Sequence, residues 1–140
     1  MKSNNDRIES VLKTKKLNDL ERKKALIVDD ETDICYLLSN ILKQKNIQTV
    51  FAGSLAEADR MLQSPDFYYY VFLDNHLPDG LGINQIKRWK DKFPSIHVIM
   101  ITAHDSYEER RKASNDGADD FISKPFSKEI ILKSIVQTSV

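Results

Sequence analysis

Four apolar runs in this 140-residue chain end in residues suited to phosphoryl transfer. Asp29 and Asp30 follow KKALIV, Asp74 closes YYYVFLD, Thr102 closes HVIMIT, and Lys124 with Pro125 follows DDFIS. A carboxylate can attack phosphorus and hold the group as a covalent acyl phosphate, which makes Asp74 the candidate nucleophile. The obstacle is charge, because a dianionic donor must approach a carboxylate flanked by Asp29 and Asp30. A hard divalent cation resolves it, and Mg²⁺ takes a few carboxylates together with phosphate oxygens and waters. Lys124 adds a fixed positive charge for a phosphoryl oxygen, and the Thr102 hydroxyl can donate to another. Catalysis of this kind is positioning plus charge neutralisation, with no general base required. Ala103 is small enough to leave the phosphoryl oxygens unobstructed. The segment LPDGLG (77–82) supplies glycines that let the chain turn away beside the site.

For these residues to meet, the strands that carry them must open on one edge. Five strand-like runs, at 25–29, 47–51, 69–74, 97–102 and 120–124, alternate with helical stretches at 32–45, 55–63, 81–92, 106–116 and 127–137. Near-continuous apolar strands alternating with helices indicate an α/β domain with a parallel sheet covered on both faces. Such sheets bind ligands at the carboxyl edge of the strands, near the point where strand order reverses. Ile34, Leu37, Leu38, Ile41 and Leu42 follow a core-facing helical stripe. Ser54 with Glu57, and Ser106 with Glu109, form candidate capping boxes, and Gly117 stands where the fourth helix should stop. That helix, SYEERRKASNDG, has little to bury beyond Tyr107 and Ala113, and Arg110, Arg111 and Lys112 occupy its middle. A loosely anchored, movable helix is expected, with its basic residues near Asp119 and Asp120.

A chain of this length fits one domain. Lys and Arg total 21 against 21 Asp and Glu, so there is no overall basic field for nucleic acid or anionic membrane. No segment has the apolar core of a signal peptide or the length of a membrane span, and a cytoplasmic location is expected. The single cysteine, Cys35, reads as a packing thiol. Residues 1–23 form a charged N-terminal extension, a tail or short helix with Ile8, Val11 and Leu12 on one face, ahead of one unit over 24–140.

From Lys24 to Gln137 the chain resembles the receiver domains of two-component response regulators. The resemblance rests on VDDE (28–31), LDNHLPDGLG (73–82), ITAH (101–104) and GADDFISKPF (117–126). It implies a flavodoxin-like, doubly wound five-stranded sheet of order 2-1-3-4-5 with five helices. It also implies that Asp74 accepts phosphate from a sensor histidine kinase or a histidine phosphotransfer protein. Asp29, Asp30 and Asp74 would hold Mg²⁺ with the backbone carbonyl of His76, and Thr102 and Lys124 would contact the phosphoryl group. Phe121 takes the place of the aromatic switch that turns inward as Thr102 moves, and Lys124-Pro125 matches the family's cis peptide. His76 and His104, each two residues beyond a site residue, border the site and are expected to tune water access. Neither imidazole is expected to ligate the hard cation. His97 reads as structural or exposed. Arg110 and Arg111 depart from positions commonly apolar in the family's fourth helix. Output is expected through a downstream effector protein, or through a second copy bound at the fourth helix, fifth strand and fifth helix.

Two rival classes fit less well. Phosphohydrolases with an aspartyl-phosphate intermediate commonly carry a second Asp two residues after the nucleophile, where this chain has His76. A flavin or nucleotide binder needs a glycine-rich loop after the first strand, and DDE fills that place. The expectation is therefore a signalling module and not an enzyme, working as a regulator's receiver or as a stand-alone phosphorelay intermediate. No output domain follows Val140 in this sequence: were it a complete gene product, output is expected through partner binding, and were it a fragment of a larger regulator, the effector would lie elsewhere.

Overall fold

The computed structural model describes Ile8 and residues 23–138. β1 (Lys24–Val28), β2 (Gln48–Ala52), β3 (Tyr70–Asp74), β4 (His97–Thr102) and β5 (Asp120–Ser123) form one sheet. Its order is β2-β1-β3-β4-β5 and all neighbours are parallel. Five helices alternate with the strands: α1 (Thr32–Lys43), α2 (Leu55–Gln63), α3 (Ile86–Lys92), α4 (Tyr107–Asn115) and α5 (Lys128–Thr138). The doubly wound parallel sheet is thus the one expected. Strand order reverses between β1 and β3, so the carboxyl ends of those two strands bound the crevice.

Successive strand side chains point to opposite faces, so each central strand feeds two cores. On one face Leu26, Val28, Val71, Leu73, Val98 and Met100 pack with Leu55 and Leu62 of α2, Trp89 of α3 and Ala113 of α4. On the other, Ile27, Tyr70, Phe72, Ile99 and Ile101 pack with Cys35, Leu38 and Leu42 of α1 and Ile131 and Ile135 of α5. Truncating such a buried Leu or Ile to Ala costs about 2–5 kcal/mol. Burial of that size fixes the strand register, and so the loops at the carboxyl ends.

Local signals place the helix starts. Ser54 Oγ accepts from Glu57 N, and Ser106 Oγ accepts from Glu109 N, both at 3.1 Å. Gly117 ends the α4 unit with φ +108°, a conformation suited to glycine. Four expectations shift. Cys35, not Leu37, lies in the α1 core; Leu37 is 47% exposed, because the buried face centres on residues 35, 38 and 42. Tyr107 is 77% exposed, leaving Ala113 as the buried residue of α4. The stretch expected as helix from 81 divides into a 3₁₀ turn, Gly82–Gln85, followed by α3. The segment 76–81 is itself structured, as an antiparallel hairpin pairing His76–Leu77 with Gly80–Leu81. The extension expected over residues 1–23 lies outside the described residues, apart from Ile8 and Lys23. Among the described residues no helix is long and apolar enough to cross a membrane.

Candidate functional site

Asp29 is the first residue past β1 and Asp74 the last of β3, and both are buried. The pairing of Val28 with Leu73 brings their carboxylates side by side. Asp29 Oδ1 accepts from Glu31 N at 2.8 Å, and Glu31 has extended backbone with φ −87° and ψ 105°. That bond closes a bend at Asp30 and brings Glu31 back beside Asp29. The oxygens of Asp29, Glu31 and Asp74 accordingly lie within 4.8 Å of one another, and Glu31 joins this cluster where Asp30 was expected. Asp30 is exposed.

Lys124, the first residue past β5, projects into this cluster. Its Nζ lies 2.9 Å from Asp29 Oδ2, 3.4 Å from Asp74 Oδ1 and 3.5 Å from Glu31 Oε1. Its backbone N donates to Thr102 O at 2.8 Å, and the Lys124-Pro125 peptide is cis as expected. Burial opposes the ammonium charge, but the hydrogen bond to Asp29 and the charges of Asp74, Asp29 and Glu31 outweigh it and raise its pKa. Burial and then the Asp29 charge push the Asp74 carboxyl up, against Lys124 and the Asn75 amide. Three carboxylates face one ammonium, so the pocket is under-neutralised and offers hard oxygen donors. That donor set suits Mg²⁺. Cys35 Sγ donates to Asp29 O at 3.4 Å, and burial followed by Asp29 drives its thiol up to about 11. A thiol held protonated is neither a metal ligand nor a nucleophile.

Behind the pocket the chain is tightly seated. Asn75 is buried; its N donates to Asp74 Oδ1 at 2.9 Å and its Oδ1 accepts from Ile83 N at 3.0 Å. Gly82 N donates to Asn75 O at 2.7 Å, and a Cβ at Gly82 would lie 2.3 Å from Asp74 O. Only glycine fits that approach.

Thr102 is fully buried at the end of β4, where its Oγ1 accepts from His104 N at 3.1 Å, and Ala103 is exposed beside it. The exposed rings of His76 and His104 meet edge to face with centroids 4.6 Å apart, joining the β3–α3 and β4–α4 loops. Phe121 is half-buried on β5, and the Arg110 guanidinium lies 4.7 Å from its ring centroid. Arg110 also grips Asp105 through Nε at 2.5 Å and a second nitrogen at 2.8 Å, while Ser123 Oγ donates to the same carboxylate. Arg110 lines one hollow with Asp119 and Asp120, near them as expected, but its ion pair is with Asp105. Lys112 pairs with Asp116 at 2.7 Å, and Asp119 takes Lys90 at 3.2 Å. His97 is half-buried and stacked on Tyr69.

Residues 25–136 match the family described as the response regulator receiver domain. The chain belongs to that family. The receiver is 36% identical over 111 residues to the probable transcriptional regulatory protein TcrX of Mycobacterium tuberculosis, covering 77% of this chain and 46% of TcrX. It spans about half or less of the curated relatives it matches. Its fold is shared with the beryllofluoride-activated NtrC4 receiver domain dimer, at TM-score 0.77 and 37% identity over 82% of this chain and 94% of that one. A Burkholderia pseudomallei response regulator, solved with a phosphorylated aspartic acid, a calcium ion and citrate, matches at TM-score 0.73 and 25% identity. That match covers 80% of this chain and 65% of the other.

The receiver fold brings Asp29, Asp74, Thr102, Lys124, His76, Ala103 and His104 to one edge. Glu31, Asn75 and the Arg110–Asp105–Ser123 cluster were missed by reading the sequence. Glu31 enters through the turn that its N–H closes on the Asp29 carboxylate, and the others through contacts that no local spacing encodes.

Proposed function

We propose that this receiver takes a phosphoryl group on Asp74 from the phosphohistidine of a sensor kinase or histidine phosphotransfer protein, and that phosphorylation switches its binding of a partner. The observation that carries this reading is the placement of Lys124 Nζ between two buried carboxylates in an under-neutralised pocket. Asp29, Asp74 and the His76 carbonyl would hold Mg²⁺, with Glu31 or Asp30 completing the acidic side. Bound there, the cation would neutralise charge on the phosphoryl oxygens and the carboxylates. An Asp74 oxygen attacks phosphorus, the P–N bond breaks, and its electron pair stays on the imidazole nitrogen. Lys124 passes from Asp29 to a phosphoryl oxygen, and Thr102 donates its hydroxyl to another. As Thr102 moves, Phe121 turns into the space behind it. His76 and His104 border the path of the water that later hydrolyses the acyl phosphate, and so tune its lifetime.

The partners under this reading are a kinase or phosphotransfer protein and a downstream effector, with a second copy meeting the face formed by α4, β5 and α5. A second copy is worth testing for, since the matched NtrC4 receiver domain is a dimer. Residues 24–140 act as one cytoplasmic signalling unit behind a charged extension, without turning over an external substrate. Incubation with phosphoramidate and Mg²⁺ tests the reading by intact mass. One added phosphoryl group is expected, absent in Asp74→Asn and absent when the metal is chelated; equal modification of wild type and Asp74→Asn would overturn it.

A further inference from the structure

The hairpin that follows Asp74 is anchored outside its own segment. Asp79, in its turn, accepts from Leu55 N through Oδ1 and from Ala56 N through Oδ2, each at 2.9 Å. These are the first two amides of α2 (Leu55–Gln63), which have no partner within the helix. The nine-residue helix therefore has two caps of different origin: Ser54 serves Glu57 N locally, and Asp79 serves two amides from 23 and 24 residues away. The bonds from Leu55 and Ala56 hold the Asp79 carboxyl below its usual range, so it stays ionised against the positive end of the helix. Gly80 sits on the same helix start, where a Cβ would lie 3.3 Å from Leu55 Cδ1.

The clamp reaches the site through backbone pairing. Leu77 pairs with Gly80 and His76 with Leu81, and Gly82 N closes the hairpin on Asn75 O at 2.7 Å. Asn75 N in turn donates to Asp74 Oδ1. A turn fixed at Asp79 therefore fixes the backbone of His76, whose carbonyl would help hold the cation under the proposed function. We infer that Asp79 is a positioning residue for phosphoryl transfer: it ties the hairpin to the first turn of α2 and thereby holds the His76 carbonyl in place. The inference rests on the proposed function for the role of that carbonyl.

Ser54 supplies the control, because Ser54→Ala removes a cap from the same helix without releasing the hairpin. In metal-free protein, Asp79→Ala should speed amide exchange across residues 76–83, and Ser54→Ala should not. By calorimetry Asp79→Ala should weaken Mg²⁺ binding about tenfold, the scale of losing an outer-shell partner of a metal ligand. The Mg²⁺ needed for half-maximal phosphorylation by phosphoramidate should rise in parallel, with the rate at saturating Mg²⁺ near wild type. Ser54→Ala should lose comparable thermal stability and keep wild-type Mg²⁺ affinity. If Asp79→Ala does not fold, Asp79→Asn, which keeps one acceptor oxygen, carries the same comparison. Unchanged exchange over residues 76–83, or equal Mg²⁺ affinities in the Asp79 and Ser54 variants, would overturn the inference. A wild-type protein that bound no Mg²⁺ would overturn the proposed function itself, and the positioning role with it.

Discussion

Lys124 holds together a pocket that would otherwise repel itself. Removing one partner of a buried ion pair leaves the other uncompensated, so Lys124→Ala should destabilise the metal-free protein by about 3 kcal/mol. Mg²⁺ should then restore more stability to Lys124→Ala than it adds to wild type, since binding to the native pocket alone raises stability. Chemical denaturation with Mg²⁺ and with chelator checks both; an equal Mg²⁺ increment in the two proteins would contradict the assigned charges. Asp105 gives a pH prediction. The hydrogen bonds from Arg110, then Ser123, lower its carboxyl from the usual 3.8 to about 2. A depressed acid contributes stability that is present above its unfolded pKa and is lost as pH falls through the folded one, here between 3.8 and about 2. Arg110→Ala should move the Asp105 titration back towards 3.8, read by carboxyl NMR; an unmoved midpoint would assign the shift elsewhere. At this scale the strand-end residues Asp29, Asp74, Thr102 and Lys124 were legible, because each closes an apolar run. The gathering of Glu31 with Asp29 and Asp74 was not, because it depends on a turn closed by the Glu31 N–H donating to the Asp29 carboxylate.

At the scale of elements, α4 is the least anchored helix facing the sheet: its buried residue is Ala113, and its link to the β4–α4 loop and β5 runs through Arg110, Asp105 and Ser123. Few buried contacts mean a low local opening energy, so α4 amides should exchange faster than those of α1, and faster again in Arg110→Ala. Indistinguishable exchange in α1 and α4 would contradict this. The weak apolar content of α4 could be read in its sequence, whereas the outward turn of Tyr107 could not, since a single aromatic in a first turn does not set the helix phase. The hairpin at 76–81 escaped notice for a different reason: its strands are two residues long, too short for an alternating pattern. Gly82 beside it was legible as a turn residue, but the close approach to Asp74 O was not. Gly82→Ala should cost about 3 kcal/mol, at the upper end of overpacking penalties, because the obstructing atom is backbone. A denaturation midpoint within error of wild type would mean that the loop can shift freely.

At the scale of the whole molecule, one sheet carries an acidic edge at β1 and β3 and, two strands from β3, a half-buried Phe121 beside the lightly held α4. This contrast gives a route for a local charge change to become a surface change. On phosphorylation, hydrogen exchange should change over about residues 102–130, with little change in α1 and β2; changes confined to the loops around Asp29 and Asp74 would contradict that route. All of this depends on where the phosphoryl group sits. The most direct measurement is to phosphorylate the protein with phosphoramidate and Mg²⁺, reduce the acyl phosphate with borohydride, and map the modified residue by peptide mass spectrometry. Conversion to homoserine at position 74 and nowhere else is the expected result. Conversion at Asp29, Asp30 or Glu31, or none at any carboxylate of a protein that has gained phosphate, would contradict the assignment of Asp74 as the acceptor.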